Sequence, residues 1–329
     1  MKNWGKATCI WLGVALLAAV PLAHAQEAAD EKPAARGKTV VDIIPNRIIL
    51  MDLARAGDRL VAVGERGFAL VSGDAAKTWQ ARETPVTRTL TGVAFQDAKV
   101  GVAVGHNGSL VRTADGGETW SHIPLAETGS DSLLGVAHLG GEHFAAYGAF
   151  GLYFDSADAG KTWERRMILG EEFDRHISQV VKAGSSLFLV AESGTLARSD
   201  DDGATWTAIT SPYVGSYFGA LATQDGAVLA FGMRGNIWRT ADLGVTWQQV
   251  ELATKTSMNA GRQLADGRIL LVGNSGLLAL SRDGGQSFEV HFAPAGRGFA
   301  AVAEAPGGGV VLAGESGITL LDPAWFEAR

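Results

Sequence analysis

The chain has 329 residues, with 28 Lys or Arg against 35 Asp or Glu and a formal charge of −7. That acidic balance excludes a uniformly basic, phosphate-seeking surface, so nucleic acid is not an expected partner. Forty-three glycines and a single cysteine, Cys9, point to turn-dense β structure without disulfides.

At the amino end, Lys2 and Lys6 precede an apolar run from Ala7 to Val20, and Ala23-His24-Ala25 stands before Gln26. This is the arrangement of a cleavable secretory signal over residues 1–25. The run is shorter than the ~20 residues of a membrane-spanning helix, and no comparable run follows. Cleavage removes Cys9 and two lysines, leaving 26 basic residues against 35 acidic ones and a formal charge of −9. No thiol nucleophile then remains, and the expected location is the periplasm. Residues 26–38 are polar, Ala-rich and charged, and read as a flexible tether.

From residue 39 onward the chain repeats itself. The segments ending at Gly67, Gly108, Gly151, Gly194, Gly235, Gly276 and Gly317 share one phase, GERG, GHNG, GAFG, AESG, GMRG, GNSG and GESG. Their spacings of 41, 43, 43, 41, 41 and 41 residues match a four-stranded propeller blade. The expected fold is therefore all-β, a seven-bladed β-propeller over residues 39–325, followed by a tail at 326–329.

Twelve residues after each of the first six glycines comes an aromatic: Trp79, Trp120, Trp163, Trp206, Trp247 and Phe288. Each closes an Asp-box begun by Asp74, Asp115, Asp158, Asp201, Asp242 or Asp283. The aspartate should accept turn amides, glycine should take a positive φ, and the aromatic should pack between neighbouring sheets. Because the turn recurs blade after blade whereas a catalytic site is built once, these residues read as structural. The first box carries Ala76 where the others carry glycine.

Within residues 90–123 the expected strands are Leu90–Phe95, Lys99–Gly105, Ser109–Thr113 and Trp120–Ile123. The seventh repeat ends without an Asp-box, and residues 39–45 are expected to complete that blade as its outer strand, closing the ring. In such blades the hairpins after the second strands share a face with the linkers between blades, opposite the Asp-box turns. Loop-borne function belongs on that hairpin-and-linker face.

Across that face the linkers offer Ile48 beside Arg47, then Arg88, Asp131, Arg175, Gly215, Lys255 and Arg297, with His176, Arg66 and Arg234 nearby. Cations gathered at equivalent positions of an acidic chain make a candidate receptor for carboxylates, which guanidinium groups bind in bidentate fashion. The alternative is that they bridge to Glu65, Asp131, Glu192 and Glu315 and merely staple loops.

Other chemistry finds less support. A sialidase-like glycoside hydrolase needs an arginine triad, a tyrosine nucleophile and an acid/base carboxylate. Only Tyr213 and Tyr217 lie in a linker on the relevant face, and every repeat stays within two residues of the same length, without the long loops that carry such sites. A carbohydrate-binding propeller would instead display aromatics at one mouth, here Phe150, Tyr213, Tyr217, Phe218 and Phe299. The seven histidines show no metal-binding spacing and no phosphate-cradling loop is present, so neither metal nor cofactor is expected.

The repeated VGxxG hairpins, the TW-ending Asp-boxes and the leader together resemble the photosystem II stability and assembly factor family, the Ycf48/HCF136-like proteins of the BNR-repeat class. The resemblance covers nearly all of residues 39–325. It implies a seven-bladed propeller that binds newly made membrane-protein subunits, with an arginine patch on one face; the chain itself is expected to be a non-catalytic monomer. Arg47, Arg88, Arg175 and Arg297 are similar in kind to that patch. Similar propellers in non-photosynthetic bacteria resemble accessory proteins of envelope machinery, including RND-type exporters.

Overall fold

The computed structural model describes residues 44–321, except 46, together with Trp325. The leader 1–25, the tether 26–38 and the tail 326–329 lie outside the described residues, as does nearly all of the proposed closing strand 39–45.

The described chain is a seven-bladed propeller of antiparallel sheets. Six blades have four described strands each: blade one spans Leu50–Glu83, blade two Leu90–His122, blade three Leu133–Arg165, blade four Ile177–Ile209, blade five Tyr217–Val250 and blade six Met258–Phe292. Blade seven has three described strands, Phe299–Glu304, Val310–Gly314 and Gly317–Leu321. Beside the third of these, Ile318 N–H donates to Pro45 O at 3.2 Å, so the chain approaches blade one along blade seven. In blade two the strands are Leu90–Phe95, Gly101–Gly105, Leu110–Thr113 and Ser121–His122, within two residues of expectation at each end.

The second strand of every blade is buried along its whole length but for one half-buried end in blades one and three, as in AVG at 62–64 and VLAFG at 228–232. Continuous apolar runs there are buried on both faces because a neighbouring blade covers each side. Inner strands pack each on the next, and the seventh on the first, which closes the ring.

The Asp-boxes are built as the residues demand. In blade two, Asp115 Oδ1 accepts Thr119 N–H at 2.9 Å, Asp115 Oδ2 accepts the Thr119 hydroxyl at 2.5 Å, and Thr113 Oγ1 accepts Gly117 N–H at 3.0 Å. The same three bonds recur around Asp74, Asp158, Asp201, Asp242 and Asp283. Hydroxyl and amide donors hold the Asp74, Asp201 and Asp242 carboxyls down at about 2. Ala76 occupies the glycine position of the first box with φ +68°, a conformation that costs an alanine more than a glycine.

Each box aromatic packs onto the preceding blade. Trp120 lies against Val61, Val63 and Val71 of blade one, Trp163 against Val102 and Val104 of blade two, and Trp206 edge-on to Tyr153 of blade three. Blade seven lacks a box, and there Trp325 packs into the blade six–seven core, edge-on to His291 with centroids 5.5 Å apart. Eight residues past Gly317 rather than twelve, Trp325 stands outside the sequence register that marks the other six.

Candidate functional site: the cationic rim

The rim is set by hydrogen bonds between hairpins and linkers. At each hairpin the residue after the second strand donates its N–H to a linker carbonyl: Glu65 to Ile49, His106 to Thr89, Ala149 to Ser132, Glu192 to His176, Met233 to Ser216, Asn274 to Ser257 and Glu315 to Gly298. Hairpins and linkers therefore share one face, as the repeat pattern required. The hairpin glycine has no room for a side chain: a Cβ on Gly67 would lie 2.2 Å from Val86 O.

Strand register places Arg88, Arg175 and Arg297 at equivalent positions, two residues before Leu90, Ile177 and Phe299. Asp131 and Gly215 hold that position in blades three and five, and the buried Ile48 in blade one. In blade six the equivalent residue is Thr256, so Lys255 sits one place earlier, as Arg47 does in blade one. Blade six has Ala260 where blades two, three and five have glycine, and so lacks the marker that fixes the phase.

Arg47, Arg66, Arg88, Arg175, Arg234, Lys255 and Arg297 are all exposed. Of these, only Arg175 has an acidic neighbour within 4.0 Å among the described residues, Asp174 at 3.6 Å. Two of the four acids that could have stapled the rim, Glu65 and Glu192, are engaged otherwise. Glu65 Oε2 accepts Ile49 N–H at 3.1 Å. Glu192 Oε1 lies 3.0 Å from His176 Nδ1 and accepts His176 N–H at 3.1 Å, and the His176 side chain holds the Glu192 carboxyl below its usual range. Arg66 and Arg88 are brought together at the first hairpin, where a Cβ on Gly67 would lie 3.2 Å from Arg88 O. Arg234 and Lys255 meet likewise, with Lys255 Cα 3.2 Å from a Cβ built on Gly235.

The aromatics expected at one mouth are mostly not displayed. Tyr217 and Phe299 are buried, Tyr213 and Phe218 half-buried, and Phe150 alone of the five is exposed. The Tyr217 hydroxyl lies 3.0 Å from Ser211 Oγ, and burial pushes its pKa up to about 12, the wrong direction for a nucleophile.

Below the rim runs the central channel, a cavity of about 400 Å³ whose polar groups include Asp52, Gln179, Arg262 and Glu304. Two of these tie adjacent blades: Asp52 Oδ2 accepts Val93 N–H and Gln179 Oε1 accepts Ala220 N–H, each at 2.8 Å. Thr91 and Asn259, one residue earlier in the phase, donate instead to Leu133 O and Phe299 O at 2.8 and 2.9 Å. Burial pushes the Asp52 pKa up to about 6 despite two backbone donors. Sequence reading missed these residues, although a lone acid in the inner strand LMDLARA was a visible signal. Among the described residues, no three His, Asp or Glu side chains converge as metal ligands.

Fold and boxes define the class, an Asp-box seven-bladed β-propeller. The sequence profile described as Photosynthesis system II assembly factor YCF48 matches residues 71–321, and the chain belongs to that family. Among solved structures it is similar to "YCF48 bound to D1 peptide", at 20% identity and TM-score 0.69 over 84% of this chain and 92% of that one. It is also similar to YCF48 from Cyanidioschyzon merolae, at 16% identity and TM-score 0.68 over 84% and 96% of the two chains. A GH74 xyloglucanase from Xanthomonas campestris shares the fold at 14% identity and TM-score 0.67, over 84% of this chain and 52% of the enzyme. No curated protein sequence matches the chain.

Proposed function

We propose that this chain is an exported, non-catalytic propeller that binds a subunit of a membrane-protein complex and assists its assembly or upkeep. It works in the periplasm as a monomer, or in a lumen where the cell is photosynthetic. In a photosynthetic cell the complex is photosystem II; elsewhere it is an envelope machine such as an RND-type exporter. The observation that carries this reading is the rim: seven exposed cations on one face of an acidic protein, six of them with no acid within ion-pair distance among the described residues. Long cationic side chains left unpaired on one face are available to carboxylates of a partner. The peptide in the related YCF48 structure supports a protein segment as the ligand.

The test is capture from gently solubilised envelopes after in-cell cross-linking, with the tagged protein and with a variant carrying Arg88→Glu, Arg175→Glu and Arg297→Glu. An integral membrane protein enriched by the parent and lost by the folded variant supports the reading. Equal recovery of every protein by both overturns it.

A further inference from the structure

The tips of six hairpins lie in the left-handed region: Arg66, Asn107, Phe150, Ser193, Arg234 and Ser275, with φ between 51° and 62°. Five of the six are polar, as suits solvent-exposed turns. Phe150 is the exception, 56% exposed and held at φ 51°. A bulky aromatic gains nothing from that backbone conformation, and strain maintained at an exposed site points to function. Its ring is not loose: the centroid lies 4.9 Å from that of His176, which Glu192 fixes in turn at 3.0 Å.

Contacts run unbroken from Phe150 along the rim. Glu192 N–H donates to His176 O at 3.1 Å, Ser193 N–H to Ser216 Oγ at 3.3 Å, the Tyr213 hydroxyl to Met233 O at 3.4 Å, and Arg234 N–H to Ser257 Oγ at 3.2 Å. On this arc stands Val214, 90% exposed, its Cα 3.0 Å from a Cβ built on Gly194. Two bare apolar side chains thus alternate with the cations Arg175, Arg234 and Lys255.

We propose that Phe150 and Val214 are apolar anchors within the rim, and that the segment they take is an acidic stretch of a partner protein carrying a bulky apolar side chain among its carboxylates. This rests on the rim being the partner-binding face. A purely anionic ligand would leave the anchors unused, and a wholly apolar helix would strand the cations; the alternation of both fits a segment that alternates likewise.

Fluorescence anisotropy with the full-length chain tests this, using a fluorescein-labelled peptide of aspartates and glycines around one leucine, and a second peptide with serine in place of the leucine. The parent should bind the leucine peptide about tenfold or more tightly than the serine peptide. Phe150→Asn keeps a residue that tolerates the left-handed turn, and should erase that preference without lowering Tm. Equal binding of the two peptides by the parent, binding of neither, or a preference that survives Phe150→Asn overturns the anchors. Arg175→Glu with Arg234→Glu should weaken both peptides; undiminished binding by that variant overturns the rim reading itself.

Discussion

Asp52 Oδ2 accepts the N–H of Val93 at 2.8 Å, and through that bond the inner strand of blade one holds the inner strand of blade two. Asp52 also accepts Leu53 N–H at 2.8 Å, yet burial pushes its pKa to about 6. A carboxyl raised in the folded state favours the protonated protein, so the folded chain binds more protons than the unfolded one between pH 4 and 6. Stability should therefore fall as pH rises through that window. Thermal unfolding of the parent and of Asp52→Asn checks this: the descending limb should flatten in the variant, and parallel curves would contradict the assignment.

At more acid pH the Asp-boxes act in the opposite sense. Asp74, Asp201 and Asp242, held at about 2 by threonine hydroxyls and amides, contribute stability above their unfolded pKa near 4. That contribution is lost as pH falls from about 4 to about 2. Asp201→Asn should lower Tm at pH 6 and shrink the drop in Tm between pH 4 and 2, measured by circular dichroism.

Trp120 is 8% exposed, donates Nε1–H to Gly117 O at 3.0 Å, and fills the seam between blades one and two. Trp120→Ala should cost about 3–5 kcal/mol in urea unfolding. Among the described residues, Trp206 and Trp247 have no partner for their indole N–H, so truncating either should cost less than truncating Trp120.

Gly135 gives the Tyr147 ring its place in the channel wall: a Cβ there would stand 2.5 Å from Tyr147 Cε2. Gly135→Ala should destabilise by about 1–3 kcal/mol through overpacking. Gly73→Ala is the matched control, since nothing lies within 4 Å of its added Cβ, and it should leave Tm within about a degree of the parent.

Much of this molecule was legible in the chain alone. A fixed 41–43-residue period with an aromatic twelve residues past a glycine requires one supersecondary unit repeated seven times, and local turn chemistry dictated where Asp115, Thr119 and Gly117 would meet. The face on which linkers and hairpins lie followed from strand alternation. Exposed cations on that face could be named one by one, apart from the one-residue offset at Lys255.

Tertiary structure decided the rest, because those features depend on contacts that the repeat period does not record, 16 positions apart at Ile49 and Glu65 and 41 apart at Asp52 and Val93. Whether Arg88 stands unpaired beside the first hairpin depends on where Glu65 spends its hydrogen bond, and Glu65 and Glu192 both bond the backbone of their own blades' linkers. Burial removed Tyr217 and Phe299 from the mouth and left Phe150 on it, although all three are aromatic residues within two positions of a glycine in sequence. Trp325 and Asp52 owe their roles to the packing of neighbouring blades, which sets the carboxyl end against blade six and blade two against the first strand. Periodicity is a property of neighbours along the chain and survives in the sequence; pairing across blades is set only when seven sheets pack around one axis.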